Sequence, residues 1–289
     1  MHSIHRLSLA ALPLVLAFTA APLAADPPAA LGVTAFGQGP TIVLVPGLGG
    51  MRTEWMPTAR KLLAGHRVVM VDIPGHGDSP MPDPFSLDIA AAQLDQVLAK
   101  QNPDSTIVVG HGVGGLLAVL AAKQHPEHVR GVVAIDASLR PPVEIPDQQK
   151  KYLLDYINES TDNYNAFTGQ MFKSLGRDSA QAVEIHSRAM LVPAVNVKTY
   201  LRELMYVDAA SAVKDPKVPI LFVGSSRAWP DTLTWAALAK SRGFDGAPPG
   251  SIATRRIGNS GYLIMSDQPD SLAMTLDQFS KTAIAAKKK

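Results

Sequence analysis

Short runs of β-branched and other apolar residues alternate along this chain with longer stretches of helical character. The predicted strands cover residues 41–45, 66–71, 105–109, 129–135, 218–223 and 251–257. The predicted helices lie near 53–64, 87–101, 113–125, 231–242 and 269–286. Strands without polar alternation, separated by helices, are typical of a parallel sheet covered on both faces. The pattern therefore predicts a doubly wound α/β fold.

This alternation breaks between about residues 138 and 215. The segment PPVEIP at 141–146 introduces helical stretches rich in aromatic and Met side chains: Tyr152, Tyr156, Tyr164, Phe167, Met171, Phe172 and Met190. We interpret the segment as a helical cap inserted over the carboxyl ends of the strands, where such sheets bind their ligands. Aromatic and Met side chains at helical spacing more often pack in a core than contact a ligand.

The N-terminal residues 1–25 have the features of a secretory signal peptide. Arg6 precedes an apolar run from Leu7 to Ala25 that ends in small residues, which predicts cleavage near Ala21 or Ala25. A membrane anchor is the alternative, but the run is short for a span and contains prolines. We expect residues 26–289 to form one domain that is periplasmic or secreted.

Composition excludes several classes of partner and chemistry. The chain has no cysteine, so it can form neither a disulfide, a thiolate nucleophile, a cysteine–zinc site nor a lipid-modified cysteine. Without Arg6, the only charged residue of the signal, 26 basic residues face 25 acidic ones. So small a net charge favours neither nucleic acid nor anionic lipid as a partner. We expect a small apolar or acyl-type molecule instead, and no stable membrane insertion after signal cleavage.

The segment GHGVGG at 110–115 fits two different motifs. Gly110, Gly112 and Gly115 match a dinucleotide-binding fingerprint, with Asp136, 21 residues after Gly115, as the ribose contact. The same residues match the G-x-S-x-G nucleophile elbow, with Gly112 where the serine would stand. This segment alone does not decide between the two.

Motifs elsewhere favour the second interpretation. They are VPGLGG at 45–50, VDIPGHGDS at 71–79, VPILFVG at 218–224 and GYLIMSDQP at 261–269. With GHGVGG and in this order, they resemble the α/β-hydrolase superfamily over about residues 36–280, particularly small esterase, lipase and peroxidase-like members with a GHSMGG elbow. The resemblance implies an α/β-hydrolase fold, with a mostly parallel sheet and the helical cap inserted after the sixth strand.

The resemblance also assigns positions to a catalytic triad. In the family a serine attacks an acyl carbon, a histidine accepts its proton and an acid orients the histidine. The matching positions here hold Gly112, Tyr262 and Arg227. Glycine has no side chain, and a phenol is a poor base near neutral pH. Asp136 and Asp231 are the candidates for a surviving acid.

The family's oxyanion hole uses backbone N–H groups, which the matching Leu48 and Val113 retain. Together with Gly47 and His111, they form the predicted ligand-binding set, in which His111 packs beneath the elbow. We expect this site to bind a carbonyl or carboxylate that it does not cleave.

A relocated catalytic pair is conceivable, because several candidate side chains lie near predicted strand ends: His76, His111, Ser79, Ser138, Ser225, Ser226 and Ser260. His125 and His128 would need a third metal ligand from elsewhere, so we interpret HPEH at 125–128 as the end of a surface helix. No metal and no cofactor is expected.

The first hypothesis is an exported α/β-hydrolase-fold protein that has lost ordinary serine-hydrolase activity and binds a small molecule under its cap. Alternatives are a hydrolase acting on ester bonds with a rearranged site, a dinucleotide-binding oxidoreductase, and a purely structural or interaction role.

Overall fold

The computed structural model describes residues 30–141 and 144–286. The predicted signal peptide, residues 1–25, lies outside the described residues. In the described part of the chain, no helix combines the length and the apolar character needed to cross a membrane.

A seven-stranded sheet forms the centre of the molecule. Its strands are β1 (Val33–Phe36), β2 (Thr41–Val45), β3 (Arg67–Val71), β4 (Thr106–His111), β5 (Gly131–Ile135), β6 (Ile220–Ser225) and β7 (Ile252–Ile257). Their spatial order is β1-β3-β2-β4-β5-β6-β7. Only β1 pairs antiparallel, with β3; every other pairing is parallel. The mostly parallel doubly wound sheet expected from the sequence is therefore confirmed.

Burial explains why the sequence reveals the central strands. Every residue of β2, β4, β5 and β6 is buried, because helices cover both faces of the sheet. The edge strand β1 has only four residues, mostly exposed, and leaves no apolar run in the sequence. This is why the sequence analysis misses β1.

Ten α-helices are described around this sheet. They are α1 (Met56–Leu62), α2 (Leu87–Leu98), α3 (Val113–Gln124), α4 (Asp147–Glu159), α5 (Thr161–Lys173), α6 (Ser179–Ala189), α7 (Ala194–Tyr206), α8 (Trp235–Arg242), α9 (Ile264–Asp267) and α10 (Pro269–Ala285). Helix α1 packs on α10, and α2 on α3. At the start of α2, the Ser86 side chain accepts a hydrogen bond from the Ile89 N–H at 3.2 Å, which satisfies one of the unpaired donors of the first turn.

The cap consists of α4 to α7, between β5 and β6. It therefore follows the fifth strand of the described residues, not the sixth as the resemblance implied. The sequence itself shows four apolar runs before residue 138, and the short edge strand β1 adds one. Tyr164 and Phe172 of the cap are buried, as expected for core packing, whereas Tyr152 is exposed to solvent.

Candidate functional site

The turn between β4 and α3 places position 112 at the carboxyl end of the sheet. Gly112 has φ 52° and ψ −117°, a backbone conformation that residues with a Cβ rarely adopt. Its N–H donates to the Ile135 carbonyl at 2.8 Å, and its own carbonyl accepts from the N–H groups of Gly115 and Leu116. The turn is thus held by both the neighbouring strand and the first turn of α3.

The glycines around Gly112 are required by close packing. A Cβ on Gly110 would lie 2.0 Å from the Gly114 carbonyl oxygen, and one on Gly114 would lie 2.3 Å from the Pro46 carbonyl oxygen. A Cβ on Gly112 would meet no atom closer than 3.3 Å. The fingerprint spacing of these glycines therefore has a steric explanation that involves no phosphate, and a side chain at position 112 would be crowded chiefly by the Tyr262 hydroxyl.

The hydroxyl of Tyr262 is the group nearest to the position that a side chain at residue 112 would occupy. Its oxygen lies 3.3 Å from the point that a Cβ on Gly112 would occupy, and 2.8 Å from the same point on Gly47. The Tyr262 ring packs against the His111 ring, with the centroids 4.3 Å apart. The hydroxyl therefore fills the space between the β2 loop and the β4 turn.

An anchored loop holds Tyr262 in this place. The N–H of Gly261 donates to the Asp267 carboxylate at 2.6 Å. The other oxygen of that carboxylate accepts hydrogen bonds from two residues near the start of α6, Arg177 at 2.7 Å and Gln181 at 2.8 Å. The loop after β7 is consequently tied to the cap one residue before Tyr262.

The electrostatic surroundings keep Tyr262 protonated. Burial raises the pKa of its hydroxyl above the usual value, and the nearby acidic side chains of Glu54 and Asp136 raise it further, against an opposing effect of Arg242. A neutral phenol donates a hydrogen bond but is a poor proton acceptor. Tyr262 is thus suited to binding a carbonyl or carboxylate oxygen rather than to acting as a base.

His111 lies beneath the turn and is fully buried. Neither ring nitrogen has a hydrogen-bond partner among the described residues. Burial lowers the pKa of His111 to about 4, against a smaller opposing effect of the Tyr262 backbone. The imidazole is therefore neutral at pH 7, and its ring packs between Tyr262 and Gly47.

Glu54 is a buried acid that the sequence analysis did not identify. It lies in the 3-10 helix Arg52–Trp55 and is 6% exposed. A Cβ on Gly50 would lie 2.5 Å from one of its carboxylate oxygens, which places the carboxyl against the β2 loop. Burial raises the pKa of Glu54 to about 8, although Arg188 of the cap and the Gly47 backbone oppose this shift. In the sequence, the one indication that Glu54 is buried is its place directly before the apolar Trp55.

The β2 loop, residues 46–50, lies directly under the cap. The Gly49 N–H donates to the His76 ring at 3.1 Å. A Cβ on Gly49 would lie 2.8 Å from the Phe172 ring of α5. Leu48 is 9% exposed, and Val113 is partly buried at the start of α3. The β2 loop, which carries Leu48, thus lies against the cap helix α5 at Gly49.

The two candidate acids occupy different environments. The Asp136 carboxylate accepts hydrogen bonds from the Ser225 N–H at 2.8 Å and the Ser225 hydroxyl at 2.6 Å. Burial raises the pKa of Asp136 to about 6, against the effect of these bonds. Asp231 is exposed and forms an ion pair with Arg256. Arg227, at the position expected for the acid, is exposed.

These contacts also bear on the dinucleotide interpretation. Both carboxylate oxygens of Asp136 are engaged by Ser225, so the side chain is not turned outward to a ribose hydroxyl.

None of the candidate serine hydroxyls forms a hydrogen bond with a histidine ring of the described residues. Their hydroxyls donate instead to the following acceptors: Ser79 to the Asp72 carbonyl, Ser138 to the Arg140 carbonyl, Ser225 to the Asp136 carboxylate, Ser226 to the Ser260 carbonyl and Ser260 to the Ile257 carbonyl. Both ring nitrogens of His76 have backbone partners, the Pro74 carbonyl at 3.0 Å and the Gly49 N–H. Each of these side chains therefore has a structural hydrogen-bonding role.

A group with the chemistry of metal ligands lies elsewhere, at the far end of α3. It consists of Asp95, His125 and His128. The β4 turn and this group are separated by the whole length of the helix, so the group is not part of the site under the cap.

Comparisons with known proteins agree with this architecture. A protein-family model described as alpha/beta hydrolase fold matches residues 40–232. The biotin biosynthesis bifunctional protein BioHC of Cellvibrio japonicus is 25% identical over 255 residues, which are 86% of this chain and 49% of that protein. The chain thus spans about half the length of this curated relative.

Solved structures share the fold at low sequence identity. A hydrolase from Oleispira antarctica has a TM-score of 0.70 at 17% identity, covering 86% of this chain and 94% of that one. The enol-lactonase from Burkholderia xenovorans LB400 has a TM-score of 0.68 at 18% identity, covering 86% and 95%. The family model covers more than half of the chain, and the sheet order and the β4 turn agree with it. The chain therefore belongs to the α/β-hydrolase fold family.

Proposed function

We propose that this chain is an exported α/β-hydrolase-fold protein that lacks the nucleophile and the histidine of the catalytic triad and binds a small apolar or acyl-type molecule without cleaving it. The observation that carries the proposal is the position of the Tyr262 hydroxyl, 3.3 Å from where a Cβ on Gly112 would lie. At the point where acyl transfer needs an attacking oxygen beside a base, this chain has a glycine and a neutral phenol.

The remaining side chains support the same conclusion. Serine hydrolysis requires a hydroxyl that donates to a base within hydrogen-bond reach. The candidate serines donate to backbone carbonyls or to Asp136, and His76 is engaged at both ring nitrogens. His111 is neutral and fully buried under the turn. No relocated pair among these residues has the geometry of a nucleophile and its base.

The donors that remain favour a ligand with a carbonyl or carboxylate group. Tyr262 contributes a hydroxyl, and the backbone N–H groups of Leu48 and Val113 occupy the positions that stabilise an oxyanion in the family. The start of α3 adds the positive end of a helix dipole. The apolar part of such a ligand would contact cap side chains such as Phe172, which packs on the β2 loop.

A hydrolase acting on ester bonds is the second candidate. Its support is that two structural neighbours are a hydrolase and an enol-lactonase, together with the retained Asp136. At 17% and 18% identity, these neighbours establish the shared fold but not a shared activity.

One experiment separates the two candidates. The purified protein is incubated with a fluorophosphonate probe and with p-nitrophenyl butyrate, and native mass spectrometry is used to detect small molecules that co-purify. We expect no covalent label, no ester turnover above the buffer rate, and a bound small molecule. Stoichiometric labelling of a serine, with turnover that is lost in His76→Ala or His111→Ala, would establish the hydrolase instead.

A further inference from the structure

Helices α2 and α3 bring together side chains that are far apart in the sequence. Asp95 lies on α2, His125 follows the last residue of α3, and His128 ends the 3-10 helix Pro126–His128. The Asp95 carboxylate lies 2.7 Å from Nδ1 of His128 and 3.9 Å from Nε2 of His125. One ligand atom from each residue lies within 4.8 Å of the other two.

From this geometry we propose that Asp95, His125 and His128 form a binding site for a divalent transition-metal ion of the Zn²⁺ class. Two imidazole nitrogens and one carboxylate oxygen are a ligand set suited to Zn²⁺, Cu²⁺ or Ni²⁺, whereas Ca²⁺ and Mg²⁺ prefer oxygen ligands alone. Three protein ligands leave a fourth tetrahedral position, which water fills. This site is separate from the one under the cap and does not depend on the proposed function.

The neighbouring Glu127 gives His125 the arrangement that a metal ligand needs. Its carboxylate accepts a hydrogen bond from Nδ1 of His125 at 3.0 Å. With the proton held at Nδ1, the lone pair of Nε2 is available on the side of the ring that faces Asp95. A carboxylate bonded to the non-ligating nitrogen is the common way in which proteins orient a metal-binding histidine.

The backbone holds these ligands in place without the metal. The His125 N–H donates to the Ala121 carbonyl at 2.9 Å, and the His128 N–H donates to the His125 carbonyl at 3.2 Å. The two imidazole rings are stacked, with their planes 17° apart. Asp95 is 8% exposed. To admit Zn²⁺ at bond lengths of about 2.0–2.1 Å, the direct hydrogen bond of 2.7 Å between Asp95 and His128 has to open, and the exposed side chain of His125 has to rotate toward Asp95.

The competing explanation is a set of ion pairs between protonated imidazoles and the two carboxylates. Glu127 first and Asp95 second raise the pKa of His125, which is consistent with such pairs at low pH. The two explanations differ in whether the protein takes up one equivalent of metal.

The site spans the contact between α2 and the end of α3, so metal binding should stabilise the fold. A helix of this length places the site about 18 Å from the β4 turn. We therefore expect a structural effect: binding to the folded state alone raises the unfolding temperature in proportion to the logarithm of the metal concentration.

The test is isothermal titration of ZnCl2 into the EDTA-treated, dialysed protein, produced without a histidine tag, at pH 7.5. We expect one equivalent of Zn²⁺, no detectable Mg²⁺ binding, and an unfolding temperature that rises with Zn²⁺. The variants His125→Ala and His128→Ala should each weaken binding more than tenfold, and Glu127→Gln should weaken it by roughly 10-fold or more.

A matched control is His186→Ala, which removes a half-buried histidine of α6 and should leave binding unchanged. Should a variant fail to fold, circular dichroism identifies it, and Glu127→Gln, which keeps every ligand, carries the test. The proposal is overturned if the native protein takes up no Zn²⁺ equivalent, or if His125→Ala, His128→Ala and His186→Ala bind as the native protein does.

Discussion

The hydroxyl oxygen of Tyr262 lies 2.8 Å from the point that a Cβ on Gly47 would occupy, and 3.3 Å from the corresponding point on Gly112. One phenol thus fills the gap between the two turns that the family uses for the oxyanion hole and the nucleophile.

Gly112→Ser should lower the stability of the protein. A non-glycine residue at φ 52° and ψ −117° costs on the order of 1–3 kcal/mol, while the loss of glycine's unfolded-state entropy returns only about 0.5–1 kcal/mol. The new Cβ would also crowd the Tyr262 hydroxyl. The measurement is urea unfolding, with the control Gly65→Ser, a position with open space around it and no positive φ. A higher unfolding midpoint for Gly112→Ser than for the native protein would contradict the strain argument.

The double variant Gly112→Ser with Tyr262→His should acquire weak esterase activity. A histidine has a pKa near 6.5 and a shorter side chain than tyrosine, so it supplies a base and leaves room for the serine hydroxyl. Initial rates with p-nitrophenyl acetate, compared with both single variants, measure the gain. We expect the initial rate of the double variant to exceed the rates of both single variants. We also expect the double variant to react with a fluorophosphonate probe. A folded double variant that does neither would indicate that the oxyanion donors are not in place.

Tyr262→Phe should weaken ligand binding without affecting the fold. The ring contact with His111 is kept, so the free energy of unfolding should change by less than about 0.5 kcal/mol. A hydrogen bond to a carboxylate contributes about 1.5–3 kcal/mol, which corresponds to a loss of roughly tenfold or more in affinity. The probe is octanoate, titrated by calorimetry, and Tyr152→Phe on the exposed face of α4 is the control. Equal affinities of the native protein and Tyr262→Phe for octanoate would exclude Tyr262 from the binding site.

The sequence predicts those parts of the structure that are determined by residues close together in the chain. It does not predict those that depend on contacts between distant residues. Strands β2 and β4 are predicted within a residue or two, since burial on both faces leaves continuous apolar runs. The short, exposed β1 leaves no such run. The positions of Gly112 and Tyr262 follow from motifs, but the direction of the phenol depends on the contact of Asp267 with the cap, which no spacing reveals. Those contacts connect residues that are 86–90 positions apart.

The same reasoning explains the two residues that the sequence analysis did not single out. Glu54 is unusual only because the β2 loop and the cap enclose it, and enclosure is a property of packing. Asp95 lies 33 residues before His128, on a different helix, so the HPEH segment gives no indication of its third neighbour.

Glu54→Gln should stabilise the protein at high pH more than at low pH. The folded state holds the proton of Glu54 up to about pH 8, whereas the unfolded chain releases it near 4.5. Between these values the folded state binds more protons, so the contribution of Glu54 to stability is largest below pH 4.5 and decreases as the pH rises to 8. Glutamine does not titrate, so the variant lacks this decrease.

The measurement for Glu54 is urea unfolding at pH 5 and pH 8.5, with the exposed Glu144→Gln as the control. The difference between Glu54→Gln and the native protein should grow toward pH 8.5 by on the order of a few kcal/mol. An identical pH dependence in the two proteins would mean that Glu54 is ionised in the folded state.

His111→Phe should leave the protein equally stable or more stable at pH 7. Both ring nitrogens of His111 are buried without a partner among the described residues, and a buried unsatisfied polar group costs about 1–3 kcal/mol. Phenylalanine keeps a planar ring against Tyr262 and removes that cost. Destabilisation by more than 1 kcal/mol at pH 7 would show that the imidazole makes a stabilising hydrogen bond, for which the Tyr262 backbone is the candidate partner.

The pH dependence of the same variant provides an independent check. Burial lowers the pKa of His111 to about 4, so below the unfolded value of 6.5 the unfolded chain binds the extra proton and stability falls as the pH drops to 4. His76, whose pKa is also lowered to about 4 by burial, contributes in the same direction and remains in the variant. His111→Phe should therefore reduce the loss of stability at low pH without abolishing it. The control His186→Phe should not reduce that loss. Thermal unfolding at half-unit steps between pH 4 and pH 7 measures the difference. Equal slopes for His111→Phe and the native protein would mean that folding does not lower the pKa of His111.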